Sequence, residues 1–396
     1  MTTARVVGAG LSGLAVATCL ADAGFHVEVV DAASGPGGLL GTRSTPHGPV
    51  ERAANAFVWT DTTAKWFERL GITPEFPLET AKRRYIYRDG APRRWPLKRG
   101  ETLGMGARLG WTYLTRRLKP RPDESVAAFA ARVAGPAAST WFAAPAMQGV
   151  YATPADRLSA AAIFGHARRP RGGSAAPAGG MGEFIARLYD GLKNRGAEFS
   201  FGTTADFIGG GVPTVICTNA RAAAALVTPH ASGLGEALRR IDMTGIETVT
   251  AFFEPRPDDL QGFGVLFPRE SGIDALGVLF NTSIFRGRGA FRSETWIYGV
   301  DGTTTSTVAS DRVAADREVL THRRAPALAT HATRWPGALP VYDQRVLDVG
   351  PHLRELPPWL TLSGNYLGQI GVSTLLARAE TTVAGLVTHL RDTNRR

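Results

Sequence analysis

Gly8, Gly10 and Gly13 stand in the spacing G-x-G-x-x-G, and an acid, Asp31, follows eighteen residues after the last of them. These residue types in this spacing can hold a dinucleotide. Gly8 permits a tight turn, Gly10 lets backbone approach a pyrophosphate, and Gly13 lets a helix pack closely on the preceding strand. Leu11 and Ser12 open that helix, whose unpaired N–H groups and positive dipole end suit phosphate. Asp31 is placed to accept hydrogen bonds from a ribose. No side-chain nucleophile or acid–base constellation accompanies the motif. None of the eight histidines has a partner nearby in sequence, so no catalytic residue is assigned and a bound cofactor is expected to carry the chemistry.

The elements around the motif read β-α-β. Ala4–Val7 is a short apolar strand, Leu11–Ala23 a helix of small and aliphatic residues stopped by Gly24, and Val27–Val30 a second strand. A polar stretch from Ser34 to Pro49 reads as loop, residues 60–71 as an amphipathic helix, Arg168–Gly180 as loop and Glu183–Leu192 as helix. Strand character returns at Thr214–Cys217, Val249–Phe253, within Gly262–Phe285 and at Trp359–Leu362, before a final helix over Val372–Leu390. The expected class is α/β: a discontinuous Rossmann-type nucleotide-binding domain, a mixed-sheet substrate domain and a helical insertion.

Composition narrows the class. No apolar run reaches the roughly twenty residues needed to span a bilayer. The N-terminus enters a strand directly, without the pattern of a signal peptide. Cys19 and Cys217 are the only cysteines and show neither metal-ligand nor redox spacing, so no metal site is expected and cytoplasmic residence is. The formal charge is +10, yet it is concentrated: thirteen basic residues between Lys82 and Arg121 face only Asp89 and Glu101. Tyr85, Tyr87, Trp95, Trp111 and Tyr113 interleave with them. Three uses compete: a solvated basic face, a contact for anionic lipid or an anionic substrate, and nucleic acid. The last lacks any accompanying motif and is not expected. Peripheral attachment to an anionic membrane surface follows if the contact is lipid, and substrate steering if it is not.

After Asp31 comes Ala-Ala-Ser-Gly-Pro-Gly37-Gly38, then Leu39 and Leu40. An acid followed by paired glycines resembles the second fingerprint of the FAD enzymes related to amine oxidases, phytoene desaturases and protoporphyrinogen oxidases. Many relatives carry arginine soon after the pair, where this chain has the two leucines. Leu362–Val372, with Gly364, Asn365, Gly371 and Val372, resembles the turn and helix start that cradle the flavin in that superfamily. Ala205 falls, by the same resemblance, where a strand's backbone passes the adenine. The resemblance implies FAD as cofactor. Its domain pattern gives FAD binding to residues 1–78, 172–236 and 345–396, substrate binding to 79–92 and 237–344, and a basic helical domain to 93–171.

Several stretches resemble the protoporphyrinogen oxidase family in particular. They are Val50–Phe57, Lys82–Gly90 with Trp95–Leu97, Gly149–Ala152 with Leu158–Ser159, Gly180–Met181, and Gln261–Pro268 with Leu276–Phe280. The resemblance implies that Arg84 pairs with a substrate propionate, as a planar bidentate donor does well. It implies that Leu266 and Leu279 sandwich a tetrapyrrole. The chain departs from the family at Ile297, where an aromatic stacks on another ring, at Thr153, where glycine is usual near the substrate, and at Ala53, which replaces a glycine near the flavin. It is also short between Phe201 and Pro229. The implied activity is oxidation of a porphyrinogen, protoporphyrinogen IX first, by hydride transfer from meso carbons to FAD with O2 as acceptor, in heme biosynthesis. Oxidation of coproporphyrinogen III stays open, as do another oxidase or desaturase of the amine oxidase superfamily and a non-catalytic flavin or porphyrin carrier. Oligomeric state is not readable.

Overall fold

The computed structural model describes residues 2–165, 172–205, 208–209, 211–300, 310–368 and 370–393. Two sheets organise them. The first is all parallel, with Thr3–Val7 at its centre. His26–Asp31 and Glu198–Phe201 lie on one side of it, Thr214–Ile216 and Leu360–Leu362 on the other. A parallel sheet must be covered on both faces, which explains why its strands are short apolar runs. The helices Leu11–Asp22, Met181–Asn194 and Val372–Thr393 cover one face through Leu14, Leu20, Phe184, Leu188, Leu376 and Val383. Helices Ala220–Val227 and Ser232–Arg239 cover the other through Leu226, Val227, Leu234 and Leu238.

The second sheet has seven strands in the order 329–340, 243–253, 292–300, 277–280, 264–266, 84–88, 91–93. Its long strands Met243–Phe253 and Arg292–Val300 pair antiparallel, so residues directly opposite share a face. One face is packed: Tyr87, Val249, Val265, Val278, Trp296 and Tyr298 form a core, with Trp296 stacked on Phe267 at 5.8 Å between centroids. Helices Arg99–Leu114, Val126–Ala134, Ala144–Tyr151 and Ala160–Phe164 are inserted between strand 91–93 and the return to the first sheet.

Two expected loops contain strands. Thr42–Thr45 and Gly48–Glu51 form a hairpin that begins inside the stretch read as polar loop and ends just past it. Its turn residues Pro46 and His47 mask two short pairing segments. Ser174–Pro177 pairs with both Phe57–Val58 and Pro74–Glu75, burying Ala175 and Ala176. These alanines carry little β-propensity, so tertiary packing, not local preference, makes the strand. Arg168 to Arg171 of the expected loop lie outside the described residues.

Candidate active site

A cleft of about 580 Å³ opens at the carboxyl ends of the parallel strands, where open α/β sheets bind ligands. Gly8, Gly10, Leu11, Ser12, Asp31, Gly37, Gly38, Leu39, Leu40, Ala205, Gly364 and Asn365 all line it. Three residues of the expected set do not. Gly13 lies beneath the turn, where an added Cβ would fall 1.7 Å from the Gly8 carbonyl oxygen. Gly371 and Val372 stand at the start of the last helix, whose Leu375 lines the cleft one turn further on, without lining it themselves.

The turn is held from several sides. Gly8 has φ +106°, a conformation that disfavours any side chain. The Gly37 N–H donates to the Ala9 carbonyl at 2.9 Å, so the paired-glycine turn rests directly on the first glycine turn. The Asp31 carboxylate accepts from the backbone N–H of Ala9 at 2.5 Å and of Ala33 at 2.7 Å. Those bonds fix its orientation and leave lone pairs for a hydroxyl. At the far end the Arg378 guanidinium donates to the Gly364 carbonyl at 3.3 Å, and the Tyr342 hydroxyl donates to the Asn365 carbonyl. Burial lowers the Arg378 pKa. Cys217 also lines the cleft, and desolvation pushes its thiol well up, so it stands there neutral.

These features fit a dinucleotide. An added Cβ on Gly10 would meet no protein atom within 4 Å, so its bareness serves approach from the cleft side rather than packing. The backbone N–H groups at the start of helix Leu11–Asp22 have no acidic side chain in the first turn to neutralise them.

The expected substrate residues meet on the second sheet. Register places Ile86, Leu266, Gly277, Ile297 and Thr248 in one row, and Arg84, Gly264, Leu279, Thr295 and Thr250 in the next. All point to the face opposite the packed core. Arg84 is exposed, with its guanidinium 4.7 Å from the Phe263 ring centroid. Helix Ala144–Tyr151 lies over this face, since a Cβ on Gly149 would fall 2.5 Å from a Leu266 methyl. Thr153 stands apart: it is buried past the helix end, and its hydroxyl donates back to the Tyr151 carbonyl at 3.1 Å. The Thr248 hydroxyl donates to the Arg52 carbonyl at 2.8 Å, which brings the loop after the hairpin onto this same face.

Sequence reading missed part of the cleft. Thr203, Thr204, Thr218 and Asn219 line it from the strand ends, and Trp335, Pro336, Gly337 and Ala338 from the second sheet. Asn219 carries a readable signal, because it caps helix Ala220–Val227 by accepting from the Ala222 N–H at 2.9 Å. The Pro336–Gly337 pair was the only local sign of the other wall.

Comparison with known proteins agrees with this geometry. A family model described as "Flavin containing amine oxidoreductase" matches residues 11–322. The chain belongs to that family. It is an FAD-dependent oxidoreductase, and FAD is its cofactor. Among named relatives, the chloroplastic protoporphyrinogen oxidase of Oryza sativa subsp. japonica is 23% identical over 468 residues, covering 93% of this chain and 84% of that protein. The expected likeness to protoporphyrinogen oxidases is thus borne out. A solved protein from Exiguobacterium sp. 255-15, provisionally assigned as a protoporphyrinogen oxidase, has a TM-score of 0.82 at 16% identity and covers 98% of this chain and 99% of its own. Reduced UDP-galactopyranose mutase follows at 0.76 and 12% identity, covering 98% and 94%. A putrescine oxidase redesigned in its cofactor binding scores 0.71 at 15% identity, covering 98% and 99%. At these identities the solved structures share the fold alone.

Proposed function

We propose that this chain oxidises a porphyrinogen, protoporphyrinogen IX first, to the corresponding porphyrin in heme biosynthesis. One observation carries the reading. The sheet face that gathers Arg84, Leu266, Leu279 and Ile297 also carries Thr248, which holds the Arg52 loop beside the FAD cleft. A substrate laid on that face would lie next to the cofactor. FAD, when bound, would supply the redox chemistry, three two-electron rounds that each remove a hydride from a meso carbon and a proton from a pyrrole nitrogen, with O2 as terminal acceptor and hydrogen peroxide as product. The chain's residues bind and orient. Arg84 offers a planar cation to a propionate, Leu266 and Leu279 offer apolar walls, and Ile297 supports without stacking. Gly8 through Ser12, Asp31, Gly37 through Leu40, Ala205, Gly364 and Asn365 would hold the dinucleotide. Gly13, Gly371 and Val372 would shape its supports.

Anaerobic mixing with each porphyrinogen tests the reading. Protoporphyrinogen IX should bleach the flavin absorbance within turnover time. Bleaching by coproporphyrinogen III alone would move the substrate to the four-propionate form. A flavin that stays oxidised with both would remove tetrapyrroles as substrates.

A second observation favours attachment to an anionic membrane surface. Helix Arg99–Leu114 exposes Leu103 (75%), Trp111 (65%), Tyr113 (72%) and Leu114 (77%) amid its basic surroundings. Leu103, Trp111 and Leu114 fall on one stripe of the helix. Arg108, Arg117 and Arg121 flank Trp111 in a shallow basic hollow. Apolar side chains ringed by arginines suit the headgroup boundary. Among the described residues no helix is long and apolar enough to cross a membrane.

A further inference from the structure

Four residues of the FAD cleft come from the edge strand of the second sheet, and no role above accounts for them: Trp335, Pro336, Gly337 and Ala338. They form a bulge. Ile246 pairs with Trp335 and Thr244 with Leu339, so Gly245 alone stands opposite the three residues between. Pro336 has no N–H to lose from the ladder, and Gly337 adopts φ +65°, which glycine accepts without strain. A bulge bends an edge strand and re-aims the side chains beside it. Here the redirected segment forms a wall of the cleft.

Trp335 is held at two points. Its indole N–H donates to the Arg52 carbonyl at 3.1 Å. The Arg52 guanidinium lies 4.6 Å from its ring centroid, a cation resting on an aromatic face. Arg52 is itself tied to the paired-glycine side of the cleft and to the second sheet. Its N–H donates to the Gly41 carbonyl at 2.8 Å, just past the paired-glycine turn, and its carbonyl accepts from the Thr248 hydroxyl at 2.8 Å. Among the described residues no carboxylate pairs with Arg52. Burial and the nearby Arg43 charge both lower its pKa, and the Trp335 ring lies against its guanidinium.

A large ring fixed by its nitrogen and one face is already ordered, so a ligand gains contact with it at little entropic cost. We propose that Trp335 is a cofactor-contacting residue and Arg52 its positioning residue, so that the bulge closes the cleft over bound FAD from the second sheet. The inference rests on reading the cleft as the FAD site.

The test uses apoprotein reconstituted with FAD, with affinity followed by quenching of flavin fluorescence and the stability of each apoprotein recorded alongside. Trp335→Ala should weaken FAD binding about tenfold or more, and Trp335→Phe by less, because a ring remains. Arg52→Met should weaken binding and shift the visible circular dichroism of the bound flavin. Arg52→Lys should restore both, since it keeps a cation over the ring. Wild-type affinity in Trp335→Ala with an unchanged apoprotein overturns the proposal. Should Trp335→Ala fail to fold, wild-type affinity and flavin spectrum in both Trp335→Phe and Arg52→Met overturn it instead. A wild-type chain that takes up no FAD sinks the cleft reading itself, and this proposal with it. That result is distinct from a chain that binds FAD yet ignores Trp335.

Discussion

Gly10 and Gly13 lie three residues apart in one turn, yet replacing them breaks different things. A side chain on Gly10 meets no protein atom within 4 Å, whereas one on Gly13 would drive into the Gly8 carbonyl. Gly10→Val should therefore fold with near-normal stability and carry little flavin after desalting. Gly13→Val should lower the stability of the apoprotein itself, because backbone cannot yield as a flexible side chain does. Full flavin content in a folded Gly10→Val would show that the turn does not approach the pyrophosphate. Arg84 gives the matching test on the substrate side. Its loss removes a charge-assisted pair to a carboxylate, typically worth about 1.5–3 kcal/mol, or roughly tenfold to a hundredfold in kcat/KM. Flavin content should stay constant in Arg84→Ala, because Arg84 lies outside the cleft lining. Arg84→Lys should recover only part of the loss. Arg83 neighbours it and alternates to the other side of the chain. Equal small losses in porphyrinogen oxidation from Arg83→Ala and Arg84→Ala would leave only a diffuse basic field.

At the scale of elements, helix Arg99–Leu114 presents both charge and apolar surface. Its binding to vesicles containing anionic lipid should fall as salt rises, with screening over about 10 Å at 0.1 M. Trp111→Ser should weaken binding without changing that salt slope. Equal partitioning onto neutral and anionic vesicles at low salt would argue against an electrostatic contact. The same helix is pinned to strand Arg84–Arg88 through Glu101, which accepts from Arg88 at 2.7 and 2.9 Å. The Arg88 bonds and the Lys98 backbone N–H hold the Glu101 carboxyl down at about 2, against an ordinary 4.5. A depressed carboxyl stabilises only while ionised, so this tie is intact above pH 4.5 and is lost as pH falls toward about 2. Proteolysis within the helix should rise across that window, and Glu101→Gln should be equally sensitive at either end of it. The elements legible in sequence were those whose pattern is local. The β-α-β opening, with Gly24 as its stop, and the amphipathic helix Asp61–Arg69 declare themselves by spacing. Strand Ala329–Pro340 did not, because an edge strand with one exposed face and a Pro-Gly bulge has no clean alternation. The wall around Trp335 was hidden for the same reason, while the glycine turns were plain because their geometry demands glycine.

For the whole molecule, the question is what keeps the two sheets in one relation so that substrate face and cofactor cleft adjoin. Glu51 ends the hairpin and is almost fully buried. It accepts from the Arg288 guanidinium at 2.5 Å, from the Thr42 hydroxyl at 2.6 Å and from the Met181 N–H at 3.1 Å. Thr42 in turn accepts from the Gly182 N–H at 2.8 Å. One carboxylate thus joins the hairpin, the start of a helix on the first sheet and the turn leading into strand Arg292–Val300 of the second. It also caps that helix with negative charge where the dipole favours it. Breaking a buried pair by removing one partner leaves an uncompensated charge and costs about 3–5 kcal/mol. Glu51→Gln should lose stability of that order in denaturant unfolding. Arg288→Met added to Glu51→Gln should regain part of it, since no lone buried cation then remains. Because Arg52 follows Glu51 directly, the single variant should also weaken FAD binding, and the double variant should restore it in step with stability. If Glu51→Gln unfolds within about 1 kcal/mol of wild type, this pair contributes little net stability, and the hydrogen bonds from Thr248 and Trp335 to Arg52 must carry the join.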